Sequence, residues 1–159
     1  MENRGRLMIR LLCGHLNPRR LYVTVAKVIL HEGSKDPDFA DQLVQTFSWI
    51  LLASVETKGL REELLSTDSI SEWTGRAQPE ASSRNTSLFL ELLEPWFHNP
   101  VSALALCLWA QQYELATELT ARLAAFEPTL NLLRQLDQLV HLLESPVFSR
   151  LRLQLLEPR

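Results

Sequence analysis

The sequence contains few of the residues on which catalytic and metal sites usually depend: its 159 residues include two cysteines, four histidines and five glycines. Cys13 and Cys107 are far apart, which fits neither a zinc site nor a redox pair, so we expect two reduced thiols in the core. The isolated glycines exclude a glycine-rich phosphate loop, and neither a nucleophile elbow nor a metal-ligand spacing of histidines occurs. These absences predict a protein that is not an enzyme and that holds no metal and no cofactor.

Long hydrophobic runs are also absent. The longest apolar stretch, residues 101–110, is shorter than the roughly 20 residues that a membrane span needs. Arg10 interrupts the only apolar run near the N-terminus, so we expect no signal peptide. Both observations favour a soluble protein on the cytosolic side of the cell.

Charge of one sign is not in large excess, since the formal net charge is −3. This balance argues against nucleic acid as a partner, because a surface that neutralises phosphates needs many more basic residues. The distribution is uneven: residues 1–30 carry a net charge of +5, residues 31–144 of −10 and residues 145–159 of +2. The basic ends are either a solvated polar surface or a surface for anionic lipid or an acidic partner.

Leucine, by contrast, occupies 33 positions, and the apolar residues recur at helical rather than strand spacing. Four dipeptides of a capping residue and a proline mark helix starts, namely Asn17-Pro18, Asp36-Pro37, Asn99-Pro100 and Ser145-Pro146. The predicted helices are 4–16, 18–30, 38–54, 60–65, 87–97, 100–112, 113–126, 129–144 and 146–156. We predict a flexible loop at about 66–86, between the fourth and fifth of them.

Two of these helices indicate how the chain packs. Residues 129–144 have apolar side chains on one face and polar ones on the other, whereas residues 100–112 are apolar nearly all round and need neighbours on several sides. Short helices joined by tight turns predict an all-α, HEAT/armadillo-like helical solenoid of antiparallel helix pairs. We expect residues 1–159 to form a single helical-repeat domain.

Several segments carry a family resemblance. Residues 96–113 read WFHNPVSALALCLWAQQY, and residues 136–148 read LDQLVHLLESPVF. These two segments resemble conserved stretches in the C-terminal region of the vacuole-morphology scaffold ("Vac fourteen") family, and residues 4–13 and 38–61 are similar to stretches further upstream. Trp109 stands where the family usually has leucine, and the predicted loop has no counterpart. Family members are several times longer, so we expect the chain to be fragment-like.

The resemblance implies a function as well as a fold. It implies a non-enzymatic scaffold module of the complex that makes and turns over phosphatidylinositol 3,5-bisphosphate. In that family the C-terminal part is associated with self-assembly and with docking of a Sac-type phosphoinositide phosphatase, alongside the PIKfyve/Fab-type phosphoinositide 5-kinase. We therefore expect peripheral association, through the complex, with the cytosolic face of endosomal or vacuolar membranes.

Four residues are candidate partner contacts: Trp96, His98, Arg150 and Arg152. Trp96 closes the fifth predicted helix beside Phe97. These two aromatic side chains either plug a gap between helices or anchor a partner, because tryptophan is enriched at interfaces.

The first predicted helix allows two further interpretations. It carries an uncapped apolar surface, formed by Leu7, Met8, Ile9, Leu11 and Leu12, which predicts self-association because the ends of a solenoid need polar caps. The alternative function is a membrane-surface module that binds anionic lipid through basic residues in the first two helices, Arg4, Arg6, Arg10, Arg19 and Arg20.

Overall fold

The computed structural model of the chain describes residues 4–65, 85–149 and 152–153. These ranges contain eight α-helices, one 3₁₀ turn (Pro146–Phe148) and no strand, so the predicted all-α class is confirmed. The helices are α1 (Arg4–His15), α2 (Pro18–Glu32), α3 (Pro37–Ala53), α4 (Lys58–Leu65), α5 (Asn85–Trp96), α6 (Pro100–Trp109), α7 (Tyr113–Ala124) and α8 (Leu130–Glu144).

Side-chain caps set most of the helix starts. Asn17, Asp36 and Asn99 each accept a hydrogen bond from the backbone N–H three residues later, at 3.3, 3.0 and 2.7 Å. Each precedes a proline, which needs no N–H partner in the first turn. Thr129 caps α8 in the same way, at 3.2 Å. The predicted starts at these positions are therefore confirmed to within a residue.

Several predicted boundaries differ from the structure by two residues or more. Asn85 and Thr86 already belong to α5, so the predicted loop extends too far; residues 66–84 lie outside the described part. The prediction of an α-helix from Pro146 is wrong for its first turn, because residues 146–148 form a 3₁₀ turn. Of the rest of that helix, residues 150–151 and 154–156 also lie outside the described part.

The turn between α6 and α7 begins earlier than the sequence predicts. Helix α6 ends at Trp109 because Gln111 adopts a left-handed backbone conformation, with φ of 60°. This conformation lets the N–H of Gln112 donate to the carbonyl of Cys107 at 2.9 Å, which satisfies one of the last carbonyls of α6. The chain then reverses directly into α7.

The helices stack in two layers, as the predicted solenoid requires. In one layer α1 contacts α3, α3 contacts α6, and α6 contacts α8. On the other side α2 packs along α5, and α7 packs along α6. Helix α6 also contacts α4 and α5, and its side chains are buried almost all round, as the apolar sequence of this helix predicts.

Aromatic side chains fill the core between the layers. The rings of Tyr22 and Phe47 meet edge to face at 5.2 Å between centroids, and Trp96 lies 6.4 Å from Tyr22. The Tyr22 hydroxyl donates to the carbonyl of Phe47 at 3.0 Å, so this buried polar group is paired. Trp109 and Phe148 form a second edge-to-face pair, at 4.9 Å, which fastens the 3₁₀ turn to α6.

A buried arginine, which sequence reasoning missed, holds α3, α4 and α6 together. The Nη1 atom of Arg61 donates to the carbonyls of Leu51 and Ser54 and, at 3.0 Å, to the hydroxyl of Thr57. The indole Nε1 of Trp109 donates to the carbonyl of Arg61 at 2.9 Å. Burial lowers the pKa of Arg61 from its usual value, because the charged form loses hydration. These bonds satisfy the C-terminal carbonyls of α3.

Both cysteines are free and buried, which confirms the prediction of two core thiols. Burial raises the pKa of Cys13 and raises that of Cys107 to about 12, since a thiolate is poorly solvated in the core. Among the described helices, none is long and apolar enough to span a membrane.

Candidate functional site

Trp96, the first predicted partner contact, lies in the core. Its side chain has 0% exposure, and its ring packs near Tyr22. A fully buried side chain has no surface to offer a partner in this conformation, so Trp96 acts as the plug between helices, the first of the two interpretations given for it. The neighbouring Phe97 is exposed.

His98, the second candidate, is half-buried in the turn after α5. Its imidazole occupies the space beside Gly33, where an added Cβ atom would lie 2.7 Å from the Nε2 of His98. Glycine at position 33 therefore allows the end of α2 to approach this turn. The part of His98 that is not packed on Gly33 remains accessible to a partner.

Arg152 is partly exposed and already has a structural role. Its Nη1 atom donates to the carbonyl of Leu143 at 2.7 Å and to that of Ser145 at 3.4 Å, at the C-terminal end of α8. A cation at a helix C-terminus is favourable because the free carbonyls carry partial negative charge. Arg150, the fourth candidate, lies outside the described residues.

A groove that sequence reasoning missed lies between α3 and α8, above α6. Its open interior has a volume of about 40 Å³. We call it the glutamine groove; its polar lining residues are Gln45 and Ser48 of α3, Asn99 before α6, Ser102 of α6, and Gln135 and Gln138 of α8. The lining given by the described residues includes no charged side chain.

Asn99 holds the three helices of the groove in place. Its Oδ1 atom caps α6, and its Nδ2 atom donates to the Oδ1 of Asp41 at 2.8 Å and to the Oε1 of Gln135 at 3.1 Å. Asn99 is almost completely buried, so the bond to Gln135 and the cap of α6 are shielded from water, whereas the bond to Asp41 is partly buried. One side chain therefore joins α3, α6 and α8, directly after the candidate contact His98.

The basic surface near the N-terminus is largely paired. Arg10 forms an ion pair with Glu56 at 3.0 Å, and Arg19 with Glu63 at 2.8 Å. A backbone hydrogen bond and the Arg10 guanidinium lower the pKa of Glu56. Arg6 lies 5.9 Å from the centre of the Trp49 ring. Three of the five arginines proposed to bind lipid thus interact with the protein itself.

Apolar side chains are exposed at both ends of the layer α1–α3–α6–α8. We call the exposed set on the first helix the α1 patch; it comprises Leu7, Met8, Leu11 and Leu12. A second exposed set lies at or near the other end, at Phe126, Leu130, Leu133 and Val140. Within the described ranges, no three histidine, cysteine or acidic side chains lie close enough to share a metal ion.

Comparison with known proteins gives a match over the full length of the chain. The family described as "Vacuolar protein 14 C-terminal Fig4p binding" matches residues 1–159. The chain is 37% identical over 158 residues to "Protein VAC14 homolog" of Arabidopsis thaliana and 33% identical over 158 residues to the protein of the same name in Schizosaccharomyces pombe. It is also 33% identical over 157 residues to "Vacuole morphology and inheritance protein 14" of Saccharomyces cerevisiae.

Each of these alignments covers 99% of this chain but only 19%, 18% and 16% of the respective relatives, so the chain spans less than a fifth of their length. No solved structure matches the chain significantly. The resemblance seen in the sequence is confirmed by the full-length match, and the chain belongs to the family of vacuolar protein 14 C-terminal, Fig4p-binding regions.

Proposed function

We propose that the chain is a non-enzymatic scaffold module that docks a Sac-type phosphoinositide phosphatase in the complex that makes and turns over phosphatidylinositol 3,5-bisphosphate. The observation that carries this proposal is the match of all 159 residues to a family described as Fig4p-binding. The fold supports it, because a stack of short helices around one core offers extended surfaces to partners without needing a catalytic cleft.

The physical basis of such a scaffold is proximity. When a rigid helical stack binds two partners, each partner meets the other within one assembly, where its effective concentration is high. The second partner in this proposal is the PIKfyve/Fab-type phosphoinositide 5-kinase. The name of the yeast relative refers to vacuole morphology, which supports a place on the cytosolic face of vacuolar or endosomal membranes, reached through the complex.

The direct test is to measure, by calorimetry, the binding of the purified phosphatase to the purified chain. We expect a complex with a dissociation constant below about 10 μM, the range in which specific protein complexes form. Absence of binding at that concentration would overturn the proposal.

The contacts proposed at His98, Arg150 and Arg152 are tested in the same titration. We expect His98→Ala and Arg150→Ala each to weaken binding about fivefold, the effect of one lost hydrogen bond. His141→Ala is the matched control, because His141 is exposed on α8. Arg152→Lys keeps the charge but not the geometry of the α8 cap, so its effect on binding is compared with its effect on unfolding.

A second candidate function, binding to a membrane surface, is favoured by the exposed α1 patch beside the exposed Arg4. The pairing of Arg10 and Arg19 with acidic side chains weakens this candidate, since paired arginines attract anionic lipid less. Liposome flotation separates the two functions: a scaffold module should not float with vesicles that contain anionic lipid, whereas a membrane-surface module should.

A further inference from the structure

Three of the six phenylalanines are exposed, and all three lie on one edge of the helical stack. Phe39 is in the first turn of α3, Phe97 is in the turn before α6, and Phe126 is in the turn before α8. Their side chains are 50%, 47% and 63% exposed, whereas the other three phenylalanines are at most 4% exposed. Phenylalanine is usually buried, so three exposed rings on the same edge indicate a surface for a partner.

The connections between the helices place these rings in one row. Each ring lies where the chain enters the layer α1–α3–α6–α8 from the other layer, and α6 contacts both α3 and α8. Asn99, which follows the middle ring, bonds to Asp41 of α3 at 2.8 Å and to Gln135 of α8 at 3.1 Å, so this turn is fastened to both neighbouring helices. Since packed helices lie about 8–10 Å apart, the row is about 20 Å long. We call the three rings the phenylalanine edge.

The charged groups at the phenylalanine edge are mainly acidic. Five carboxylates at this edge form no ion pair within the described part of the chain: Asp36, Asp38, Asp41, Glu94 and Glu127. Two exposed cations without an ion pair, Arg4 and Arg134, lie towards the same ends of α1 and α8, so negative charge is in excess. Asp38 and Glu127 are direct neighbours of two of the rings in the sequence. The edge therefore combines apolar rings with free carboxylates.

This combination is complementary to a partner that is basic. An arginine guanidinium can lie over a phenylalanine ring and pair with a carboxylate beside it. Anionic lipid is a poor fit, because the carboxylates repel it. A second copy of the chain fits less well, because Arg6, Arg10 and Arg19 of its basic N-terminal helices already interact with the protein itself.

We propose that the phenylalanine edge binds a basic segment of the phosphatase, whose arginine side chains stack on the rings and pair with the carboxylates. About six residues in extended conformation cover the length of the row. His98, a contact in the proposed function, directly follows the middle ring. This inference rests on the proposed function for the identity of the partner, while the chemistry of the segment comes from the edge itself.

The first test is calorimetric titration of the purified phosphatase into the chain and its variants. We expect Phe39→Ala, Phe97→Ala and Phe126→Ala each to weaken binding about tenfold, because a few central side chains carry most of the affinity of an interface. All three side chains are exposed, so the variants should fold, which circular dichroism verifies. Val55→Ala is the matched control, because Val55 is 79% exposed in the turn after α3, at the opposite edge of the stack.

The second test concerns the charge of the edge. We expect Asp38→Lys to weaken binding about tenfold at low salt, and the wild-type complex to weaken as the salt concentration rises, because exposed ion pairs are screened. Glu114→Lys is the matched control. Glu114 is exposed in the first turn of α7, at the opposite edge, just as Asp38 is exposed in the first turn of α3.

The outcomes separate this inference from the proposed function. If the phosphatase binds the wild type and all variants equally, the inference is overturned while the proposed function stands. If the phosphatase does not bind the wild type, both fail. If the phenylalanine variants bind the phosphatase normally but lose self-association, the edge binds a second copy. If they instead lose flotation with vesicles of phosphatidylcholine and phosphatidylserine, the edge binds a membrane. Either of these last two results overturns the inference.

Discussion

Arg61 is a buried cation whose contribution to stability can be measured by substitution. It donates to two carbonyls at the end of α3 and to the hydroxyl of Thr57. We expect Arg61→Met to lower the free energy of unfolding by about 3 kcal/mol, because hydrogen bonds from a charged donor contribute about 1.5–3 kcal/mol and the buried carbonyls lose this donor. Urea unfolding followed by tryptophan fluorescence measures the change.

The control for Arg61 is Arg122→Met. Arg122 pairs with Glu118 on the exposed surface of α7, where an ion pair contributes less than about 1 kcal/mol. Equal effects of the two substitutions would contradict the structural role of Arg61.

The Cys107 thiol makes stability depend on pH in the alkaline range. Burial raises its pKa to about 12 in the folded chain, whereas the unfolded thiol ionises near its ordinary pKa of 9.0. Because the folded-state pKa is the higher one, the stabilisation is complete below about pH 9 and is lost as the pH rises towards 12. We expect the difference in unfolding free energy between the wild type and Cys107→Ala to shrink from about pH 8 to about pH 11. A constant difference would exclude a buried thiol.

Among the helices, two Asn-Pro caps that look alike in sequence have different energetic roles. Asn17 caps α2 at an exposed position, so we expect Asn17→Ala to lower the free energy of unfolding by about 1 kcal/mol, as capping substitutions usually do. Asn99 also bonds to Asp41 and Gln135, so we expect Asn99→Ala to cost about 3 kcal/mol. Thermal and urea unfolding of the two variants compares them, and equal costs would show that the bonds of Asn99 to α3 and α8 contribute nothing.

Helix starts were predictable from the sequence because their causes are local. A capping side chain followed by proline fits within a few residues, and this pattern correctly located the starts after Asn17, Asp36 and Asn99. At Ser145 the pattern located a helical start but not its type: the Ser145 hydroxyl has no hydrogen-bond partner among the described residues, and the turn that follows directly is 3₁₀. The left-handed Gln111 was not predictable, since that conformation usually indicates glycine or asparagine.

The candidate site was less predictable, because its features depend on packing between helices that are far apart in the sequence. Tryptophan is common in cores and at interfaces, so residue type could not decide where Trp96 lies. Polar residues on amphipathic helices usually face water, and nothing local shows that Gln45, Ser102 and Gln135 converge on one cavity.

For the whole molecule, the α1 patch is the surface through which we propose self-association. Met8 is 64% exposed and Leu11 is also exposed, and contiguous exposed apolar side chains usually mark an interaction surface. We expect the wild type to form oligomers at concentrations of tens of micromolar, and Met8→Glu with Leu11→Lys to weaken association about tenfold, equivalent to about 1.4 kcal/mol. Sedimentation velocity measures both.

The matched control is Val55→Glu. Val55 is 79% exposed in the turn between α3 and α4 and is not one of the residues of the α1 patch, although the neighbouring Glu56 pairs with Arg10 of α1. If the wild type sediments as a stable monomer, the α1 patch is not a self-association surface under these conditions. If Val55→Glu disrupts the oligomer as much as the double substitution does, a different surface is responsible.

The burial of α6 on nearly every side has a consequence for how the fold opens. Amide protons of a helix that is packed on nearly every side exchange with deuterium mainly when the helices around it separate, and α6 contacts α3, α4, α5, α7 and α8. Its amides should therefore exchange at a rate governed by global unfolding, while those of α1 exchange through fraying of that helix alone. Deuterium uptake followed by mass spectrometry should spread inward from α1, and a protease should trim the outer helices before it cuts the centre.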